Sequence, residues 1–308
     1  MLITVGKVLK RAIQAKAEIY HFHDPELLPG ALFLKLLGKR VIYDVHEDYR
    51  SIIMESRYLP HFARPLFAWS VVFFEYLAVL FFDGIIAATP KIHSLFKTPQ
   101  AILVQNYPII NEMDGYSLKP FAERTNIAAF VGGISEVRCI REMISSISLL
   151  PPGLNGKLFL VGSFRPPELE IALKTSLNSA TVNFKGQLNR TEVAKILAEA
   201  RCGLVLFYPN KNHIESQPNK LFEYMAAGLP VIASNFPYWK EIIDKIGCGI
   251  TVDPLNPSEI ANALRWVFEH PSEAEEMGKR GRKAIITKFN WNTEKKALLE
   301  LYSKILHK

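Results

Sequence analysis

Short apolar segments alternate with amphipathic segments along most of this 308-residue chain. Segments of strand length, rich in β-branched and aromatic residues, lie at residues 17–23, 40–45, 84–88, 102–105, 127–131, 157–161, 182–184, 202–207, 230–233 and 249–252. Helical periodicity separates them, as at residues 138–150, 190–200, 220–227 and 257–268. Continuous apolar strands joined by helical crossovers predict an α/β fold whose parallel sheets are covered by helices on both faces.

A polar stretch interrupts this alternation near the middle of the chain. Residues 108–124 contain Asn111, Asp114, Gly115 and Pro120 between two strand patterns, which is typical of a connection between domains. We therefore predict two Rossmann-like domains in series, over residues 1–115 and 116–289, with a C-terminal helix over residues 290–308.

One segment, residues 66–82 (LFAWSVVFFEYLAVLFF), is as apolar as a transmembrane helix. It is shorter than the ~20 residues that a bilayer span usually needs. Glu75 lies at its centre, and a charge at mid-bilayer costs about 3 kcal/mol. We expect a core helix, or a helix that lies on a membrane surface with its aromatic side chains inserted, rather than a span. Basic residues precede it: Arg50, Arg57, His61 and Arg64.

Composition excludes several classes of protein. With 49% hydrophobic and 22% charged residues, the chain is not intrinsically disordered, a coiled coil or a collagen-like repeat. Cys139, Cys202 and Cys248 lie far apart and match no zinc-binding spacing, so we expect reduced thiols in a cytosolic protein. The net charge of +7 is spread along the chain without a nucleic-acid-binding motif. It favours anionic phospholipid or a phosphorylated substrate over DNA or RNA.

The most informative segment is residues 213–235, HIESQPNKLFEYMAAGLPVIASN. A polar loop follows a predicted strand, a helix begins near Pro218, and Gly228 ends that helix before the next strand. A helix N-terminus at the carboxyl end of a parallel strand binds anions, because free N–H groups and the helix dipole converge there. Glu215 and Glu223 can face the same crevice, where carboxylates bind vicinal hydroxyls of a sugar or ribose rather than phosphate.

This segment resembles the signature of the retaining family 4 glycosyltransferases, which have the GT-B fold. The motif PNKLFEYM is similar to the one found in a subgroup that builds bacterial capsule and O-antigen polysaccharides. Four further blocks follow the order of that family: HFHDPELL at residues 21–28, YDVHE at 43–47, NYP at 106–108 and FVGGISEVR at 130–138. The tail from Phe289 resembles the closing helix of the family, which crosses back to the first domain. The resemblance covers nearly the whole chain.

The resemblance implies how the donor is bound. Glu223 is expected to hydrogen-bond the ribose, and Glu215 the hydroxyls of the transferred sugar. Asn219 and Lys220 are expected to offer backbone N–H groups to the diphosphate. The same donor site is expected to include Gly132, Gly133 and Leu221.

The resemblance also implies a catalytic set of His46, Arg138 and Glu215. Arg138 is expected to neutralise the diphosphate as the leaving group gains charge. His46 is expected to contact the donor sugar near its anomeric carbon. From the residues alone, a solvated loop charge at Glu215 and a helix cap at Arg138 stay open as alternatives.

His21 and His23 flank Phe22 with a period of two, so both can face one side at the end of the first strand, next to Asp24. Two histidines and an aspartate suggest a metal, but the sequence offers no evident third ligand at a suitable spacing. Members of the resembled family need no metal for transfer. We therefore expect a hydrogen-bonded cluster that supports the cleft, and no metal or other cofactor; a zinc site is the alternative.

The chain departs from the family at three places. Cys139 stands where the family usually has glycine, and Gly133 where it often has a second basic residue, so diphosphate neutralisation is expected to rest on Arg138 with help from Lys220. The chain also reaches His21 without the glycine-rich loop that precedes this block in the family. We therefore expect a truncated, less stable first domain that self-associates or needs a complementary chain, and weak transfer.

These observations together predict a glycosyltransferase that moves a sugar from a nucleoside diphosphate donor to a lipid-linked or glycan acceptor with retention. We expect it at the cytoplasmic face of a bacterial membrane. Two alternatives stay open. One is a nucleotide-sugar epimerase or hydrolase of the same fold, which needs no acceptor. The other is a non-catalytic remnant or subunit that binds a nucleotide sugar.

Overall fold

The structure is a computed structural model that describes residues 2–56, 59–110, 120–176 and 181–307. The chain forms two compact units, one of Met1–Asn106 with Trp291–Lys308 and one of Tyr107–Asn290. The predicted boundary between residues 115 and 116 lies outside the described residues.

The first unit is built on a sheet of four parallel strands in the spatial order β1-β2-β3-β4. The strands are β1 (Ile19–Phe22), β2 (Arg40–Val45), β3 (Gly84–Ala87) and β4 (Ala101–Leu103). The helices are α1 (Leu2–Ala15), α2 (Leu28–Leu36), α3 (Tyr49–Glu55), α4 (Arg64–Phe81) and α5 (Pro90–His93). Alternate residues of β2 face opposite sides of the sheet. Val41 and Tyr43 pack with α2 in a hydrophobic cluster on one face of the sheet. Ile42 belongs to a second cluster on the opposite face.

The second unit is built on a sheet of six parallel strands in the order β10-β9-β8-β5-β6-β7. Its strands are β5 (Ile127–Val131), β6 (Lys157–Val161), β7 (Val182–Gly186), β8 (Cys202–Val205), β9 (Val231–Ser234) and β10 (Gly249–Val252). Its helices are α6 (Ile140–Ser148), α7 (Glu168–Ser176), α8 (Arg190–Glu199), α9 (Lys211–Ile214), α10 (Asn219–Ala226), α11 (Pro237–Ile246), α12 (Pro257–Glu269) and α13 (Pro271–Thr287). Ala128 and Phe130 of β5 face one cluster, and Ile127 and Ala129 face the other.

The last helix, α14 (Trp291–Leu306), belongs to the first unit. Its Leu301 and Ile305 pack with Ile42 on the face of the sheet that α2 does not cover. A Cβ at Gly84 would lie 3.1 Å from the methyl groups of Leu301, so the absence of a side chain allows this close approach. The Gln105 N–H donates to Glu294 Oε2 at 2.7 Å and fixes the start of the helix.

The parallel α/β architecture predicted from the sequence is confirmed, and all ten predicted strands occur among the described residues. The differences lie at element ends. The strand predicted over residues 202–207 ends at Val205, because the backbone no longer pairs with a neighbouring strand after that residue. The side chains of Leu206 and Phe207 nevertheless stay buried, which is why the apolar pattern continues past the end of the strand. The helix predicted over residues 138–150 begins only at Ile140, because Cys139 has a left-handed backbone conformation (φ 53°, ψ 38°) that interrupts it.

Helix α4 corresponds to the segment predicted over residues 66–82, and its length and composition are sufficient for a membrane span. Only 11% of its apolar window is buried, so the interpretation as a core helix is wrong. Five of its exposed apolar side chains follow the spacing of one helix face: Leu66, Trp69, Phe73, Tyr76 and Leu80. The three cysteines are unpaired and buried, as expected for reduced thiols.

Candidate functional site

In the second unit, the chain that follows β8 leads through α9 to the N-terminus of α10. The side chain of Asn210 caps α9, and Glu215 follows the last turn of that helix. Pro218 is the N-cap of α10 in an extended conformation. Because a proline side chain accepts no hydrogen bond, the N–H groups of Asn219 and Lys220 stay available to an anion.

The side chain of Lys220 lies against the loop that follows β5. Gly132 in this loop has φ +131°, and a Cβ there would lie 2.7 Å from Lys220 Nζ. The loop therefore needs glycine for its backbone conformation and for the space that the lysine occupies. The Val131 N–H donates to Tyr224 Oη at 2.8 Å, which ties α10 to the end of β5. The next residue, Gly133, has no such close neighbour, since a Cβ there would lie 4.0 Å from the nearest atom, Arg165 Cδ.

Arg138 and Lys220 form a pair of cations in a largely apolar setting. The Arg138 guanidinium carbon lies 4.5 Å from the ring centre of Phe207, and Lys220 Nζ lies 6.0 Å from the same centre. Burial and, to a lesser extent, the charge of Arg138 lower the pKa of Lys220 to about 8, while Glu223 opposes the shift. Burial also lowers the pKa of Arg138. Within the described residues, neither side chain forms a salt bridge or a hydrogen bond, so the pair is suited to receive an anion.

The other predicted donor residues divide into two groups. Glu215 and Glu223 are both partly exposed, as a carboxylate that binds a hydroxyl must be. Leu221 is completely buried, and its N–H donates to the Pro218 carbonyl at 3.1 Å. The structure therefore places Leu221 in the core beneath the N-terminus of α10, where it supports the helix.

Arg165 is a basic residue of this region that the sequence reasoning missed. It lies in the loop after β6, its N–H donates to the Ile134 carbonyl at 2.8 Å, and its charge lowers the pKa of Arg138. Its side chain lies beside Gly133, the position where the resembled family often has a second basic residue. The signal in the sequence is that Arg165 lies in the loop shortly after β6, a strand that neighbours β5.

In the first unit, four polar side chains gather at the carboxyl ends of β1 and β2. His21 Nε2 and His23 Nδ1 each lie 3.3 Å from Asp44 Oδ2, and His46 Nε2 lies 3.5 Å from the same oxygen. His23 Nδ1 and His46 Nε2 are 2.9 Å apart, and His21 Nδ1 lies 2.6 Å from Tyr302 Oη on α14. His21 and His23 thus lie on the same face, and the polar group that both contact, the Asp44 carboxylate, comes from the neighbouring strand β2.

The charges of this cluster are coupled. Burial alone would raise the pKa of the Asp44 carboxyl, but hydrogen bonds from His21 and His46 outweigh it and hold the pKa at about 2. The hydrogen bond to Asp44 in turn raises the pKa of His46, against the effect of burial. Asp24, the remaining predicted residue of this region, is exposed, and its backbone carbonyl accepts the Leu27 N–H at the start of a short 3-10 helix.

Comparisons with known proteins agree with this fold. D-rhamnosyltransferase WbpZ of Pseudomonas aeruginosa is 25% identical over 285 residues, which is 87% of this chain and 69% of that protein. Among solved structures, sucrose-phosphate synthase of Thermosynechococcus elongatus matches with a TM-score of 0.77 at 20% identity, over 99% of this chain and 78% of that one. Anabaena HepE, solved with UDP, matches with a TM-score of 0.76 at 15% identity, over 97% and 82%.

The sequence profile of the Glycosyl transferases group 1 family matches residues 118–284, which are more than half of the chain. This range contains α10, the glycine loop after β5 and both cations described above. The protein therefore belongs to the Glycosyl transferases group 1 family, and it is a glycosyltransferase of glycan biosynthesis with the GT-B fold.

Proposed function

We propose that this protein transfers a sugar from a nucleoside diphosphate donor to a lipid-linked or glycan acceptor, with retention at the anomeric carbon, in capsule or O-antigen synthesis. The observation that carries this proposal is the cation pair Arg138 and Lys220 beside the uncapped N-terminus of α10. Two partly buried cations that lack an anionic partner among the described residues lose hydration without compensation. A donor diphosphate supplies that compensation.

Charge stabilisation is the main contribution of this group to the reaction. As the bond from the anomeric carbon to the diphosphate breaks, negative charge grows on the leaving phosphate oxygen. Arg138, Lys220 and the N–H groups at the start of α10 stabilise that charge. Arg165 adds a further positive charge beside Gly133, so neutralisation does not rest on Arg138 and Lys220 alone.

The carboxylates define the rest of the donor. Glu223 is assigned to the ribose hydroxyls and Glu215 to the hydroxyls of the transferred sugar, because carboxylates accept hydrogen bonds from hydroxyls and repel phosphate. His46 is assigned to the donor sugar near the anomeric carbon. HepE, whose fold this chain shares, has been solved with UDP-glucose, which supports a nucleotide sugar as the donor.

The transfer follows a front-face route. The acceptor hydroxyl attacks the anomeric carbon on the side that the diphosphate leaves. The electron pair of the broken bond goes to the phosphate oxygen, and the acceptor proton passes to the leaving diphosphate. The reaction needs no protein nucleophile and no metal, and retention follows from attack on the same face.

The acceptor is presented at a membrane. The exposed apolar face of α4 supports peripheral attachment to the cytoplasmic face, and Arg64 at its first turn favours anionic lipid. A lipid-linked acceptor in that membrane is then held near the enzyme.

Calorimetric titration of the full chain with UDP-, GDP- and dTDP-sugars tests the donor assignment. Arg138→Ala is expected to weaken binding of the selected donor by about 10- to 100-fold, because one charge-assisted contact is lost. Arg141→Ala is the matched control, since Arg141 is exposed and paired with Glu136. Unchanged donor affinity in folded Arg138→Ala protein contradicts the assignment. Release of free or altered sugar without an acceptor indicates a hydrolase or an epimerase instead.

A further inference from the structure

The polar cluster at the ends of β1 and β2 combines hydrogen bonds with an arrangement of side chains that also suits a metal ion. Phe22 pairs in register with Tyr43, so the alternation of the two strands sends His21, His23 and Asp44 to one face. The ligand-type atoms of these three side chains all lie within 4.8 Å of one another.

The distances to Asp44 Oδ2 are those of a coordination polyhedron. A charge-assisted N–H···O bond measures about 2.7–2.9 Å, whereas the nitrogens of His21 and His23 both lie 3.3 Å from this oxygen. Tetrahedral zinc holds nitrogen and oxygen ligands at about 2.0–2.1 Å, which separates neighbouring ligand atoms by about 3.3 Å. Each of the two imidazole nitrogens therefore lies at the distance from Asp44 Oδ2 that ligands of a shared metal ion require.

The surroundings of the cluster also suit a metal. A histidine ligand is usually oriented by a hydrogen bond at its other ring nitrogen, and Tyr302 Oη lies 2.6 Å from His21 Nδ1. Asp44 Oδ1 is buried and has no hydrogen-bond partner among the described residues, so the carboxylate keeps an unused acceptor. The His23 side chain is 54% exposed, which leaves a route for an ion from solvent.

We propose that His21 Nε2, His23 Nδ1 and Asp44 Oδ2 bind one divalent transition-metal ion of the Zn²⁺ class. Two imidazoles and one carboxylate select zinc or cobalt over Mg²⁺, which prefers a shell of oxygen ligands. The ion ties the ends of β1 and β2 together beside His46, whose Nε2 lies 3.5 Å from Asp44 Oδ2. The proposal is independent of the sugar transfer proposed above, in which no step uses a metal.

Metal binding to the full chain, measured without any nucleotide sugar, tests this site separately from the transfer. We expect one Zn²⁺ per chain by equilibrium dialysis, a higher unfolding temperature with ZnCl₂, and no effect of MgCl₂. CoCl₂ is expected to give the intense visible bands of four-coordinate cobalt. His23→Ala should lower the zinc affinity at least tenfold and abolish these bands.

His307→Ala is the matched control, because it removes an exposed histidine of the same unit and should leave zinc binding unchanged. His23 is exposed, so its removal leaves the core intact, and Asp44→Asn provides a second ligand variant whose fold is checked by circular dichroism. Wild-type zinc affinity in folded His23→Ala and Asp44→Asn proteins, or equal loss in His307→Ala, overturns the proposal.

Discussion

Lys220 is a residue of the proposed donor site whose pKa is lowered by its surroundings. Its ammonium lies beside the Gly132 backbone and near the rings of Phe130 and Phe207. Burial and the neighbouring Arg138 hold its pKa at about 8. A diphosphate bound at the N-terminus of α10 favours the charged form, so binding raises this pKa.

We therefore predict that donor binding is linked to proton uptake. At pH 8, about half of the Lys220 side chains are neutral, so binding takes up about half a proton per chain, and affinity falls as the pH rises above 8. Calorimetry in two buffers of different ionisation enthalpy measures the uptake. Lys220→Arg keeps the charge at all these pH values, so it should bind the donor without uptake. Equal uptake in that variant would assign the proton to another group.

The sequence indicated the cations of this site but not all of their neighbours. Arg138 and Lys220 stand in motifs with a fixed order along the chain, so their roles were predicted. Arg165 lies beside Gly133 because the segment after β6 pairs with the segment after β5, and in the first unit Asp44 lies beside the histidines because β2 pairs with β1. Both contacts depend on register. The pairing of Phe22 with Tyr43 places Asp44 beside His23, and the sequence alone did not specify that pairing.

At the scale of elements, α4 differs from the other helices because its apolar surface is largely exposed. Leu66, Trp69, Phe73, Tyr76 and Leu80 follow the spacing of one helix face, and each is at least half exposed. The sequence predicted the helix itself from its apolar run. It did not distinguish the buried from the exposed face, because the segment is apolar on nearly all sides and periodicity carries little information there.

We predict that this face binds vesicles that contain anionic lipid. The double substitution Trp69→Ser with Phe73→Ser removes two exposed aromatic side chains and should weaken vesicle binding by about tenfold or more. Ile171→Ser in the second unit is the control, because Ile171 is equally exposed outside α4. Flotation at low and high salt separates the apolar contribution to vesicle binding from the electrostatic contribution, because salt weakens only the second. Retention after a carbonate wash would indicate a spanning helix rather than a peripheral one.

The opposite side of α4 contains a partly buried carboxyl group, that of Glu75. Glu75 lies against Tyr43, whose hydroxyl donates to Glu75 Oε1 at 3.3 Å. Burial raises the pKa of Glu75 to about 7 in spite of this hydrogen bond. The folded protein therefore binds a proton here that the unfolded chain has already lost between about pH 4.5 and pH 7.

This linkage predicts the sign of a pH effect on stability. The contribution of Glu75 to the free energy of unfolding falls as the pH rises from about 4.5 to 7, by at most ~3 kcal/mol. Glu75→Gln stays neutral, so it should be more stable than the wild type at pH 8 and similar to it at pH 5. Chemical unfolding at both pH values checks this. Equal differences between the two proteins at both pH values would show that Glu75 does not titrate in this range.

At the scale of the whole molecule, the two units have separate hydrophobic cores. The chain leaves the second unit after Asn290, and α14 completes the first unit. Leu301 and Ile305 of this helix cover Ile42 and Ile86 on one face of the four-stranded sheet. The stability of the first sheet thus depends on residues more than 200 positions later in the sequence than Ile42 and Ile86, which they cover.

Leu301→Ala is therefore expected to destabilise the first unit selectively. Leu301 is 7% exposed, and loss of a buried leucine side chain costs roughly 2–5 kcal/mol. Hydrogen-exchange mass spectrometry should show faster exchange in peptides from β2 and β3 and unchanged exchange in peptides from β5 and β8. Leu299→Ala is the matched control, because Leu299 is 55% exposed on the same helix and should change stability by no more than about 0.5 kcal/mol. Equal acceleration in both units would mean that the two cores unfold as one cooperative structure.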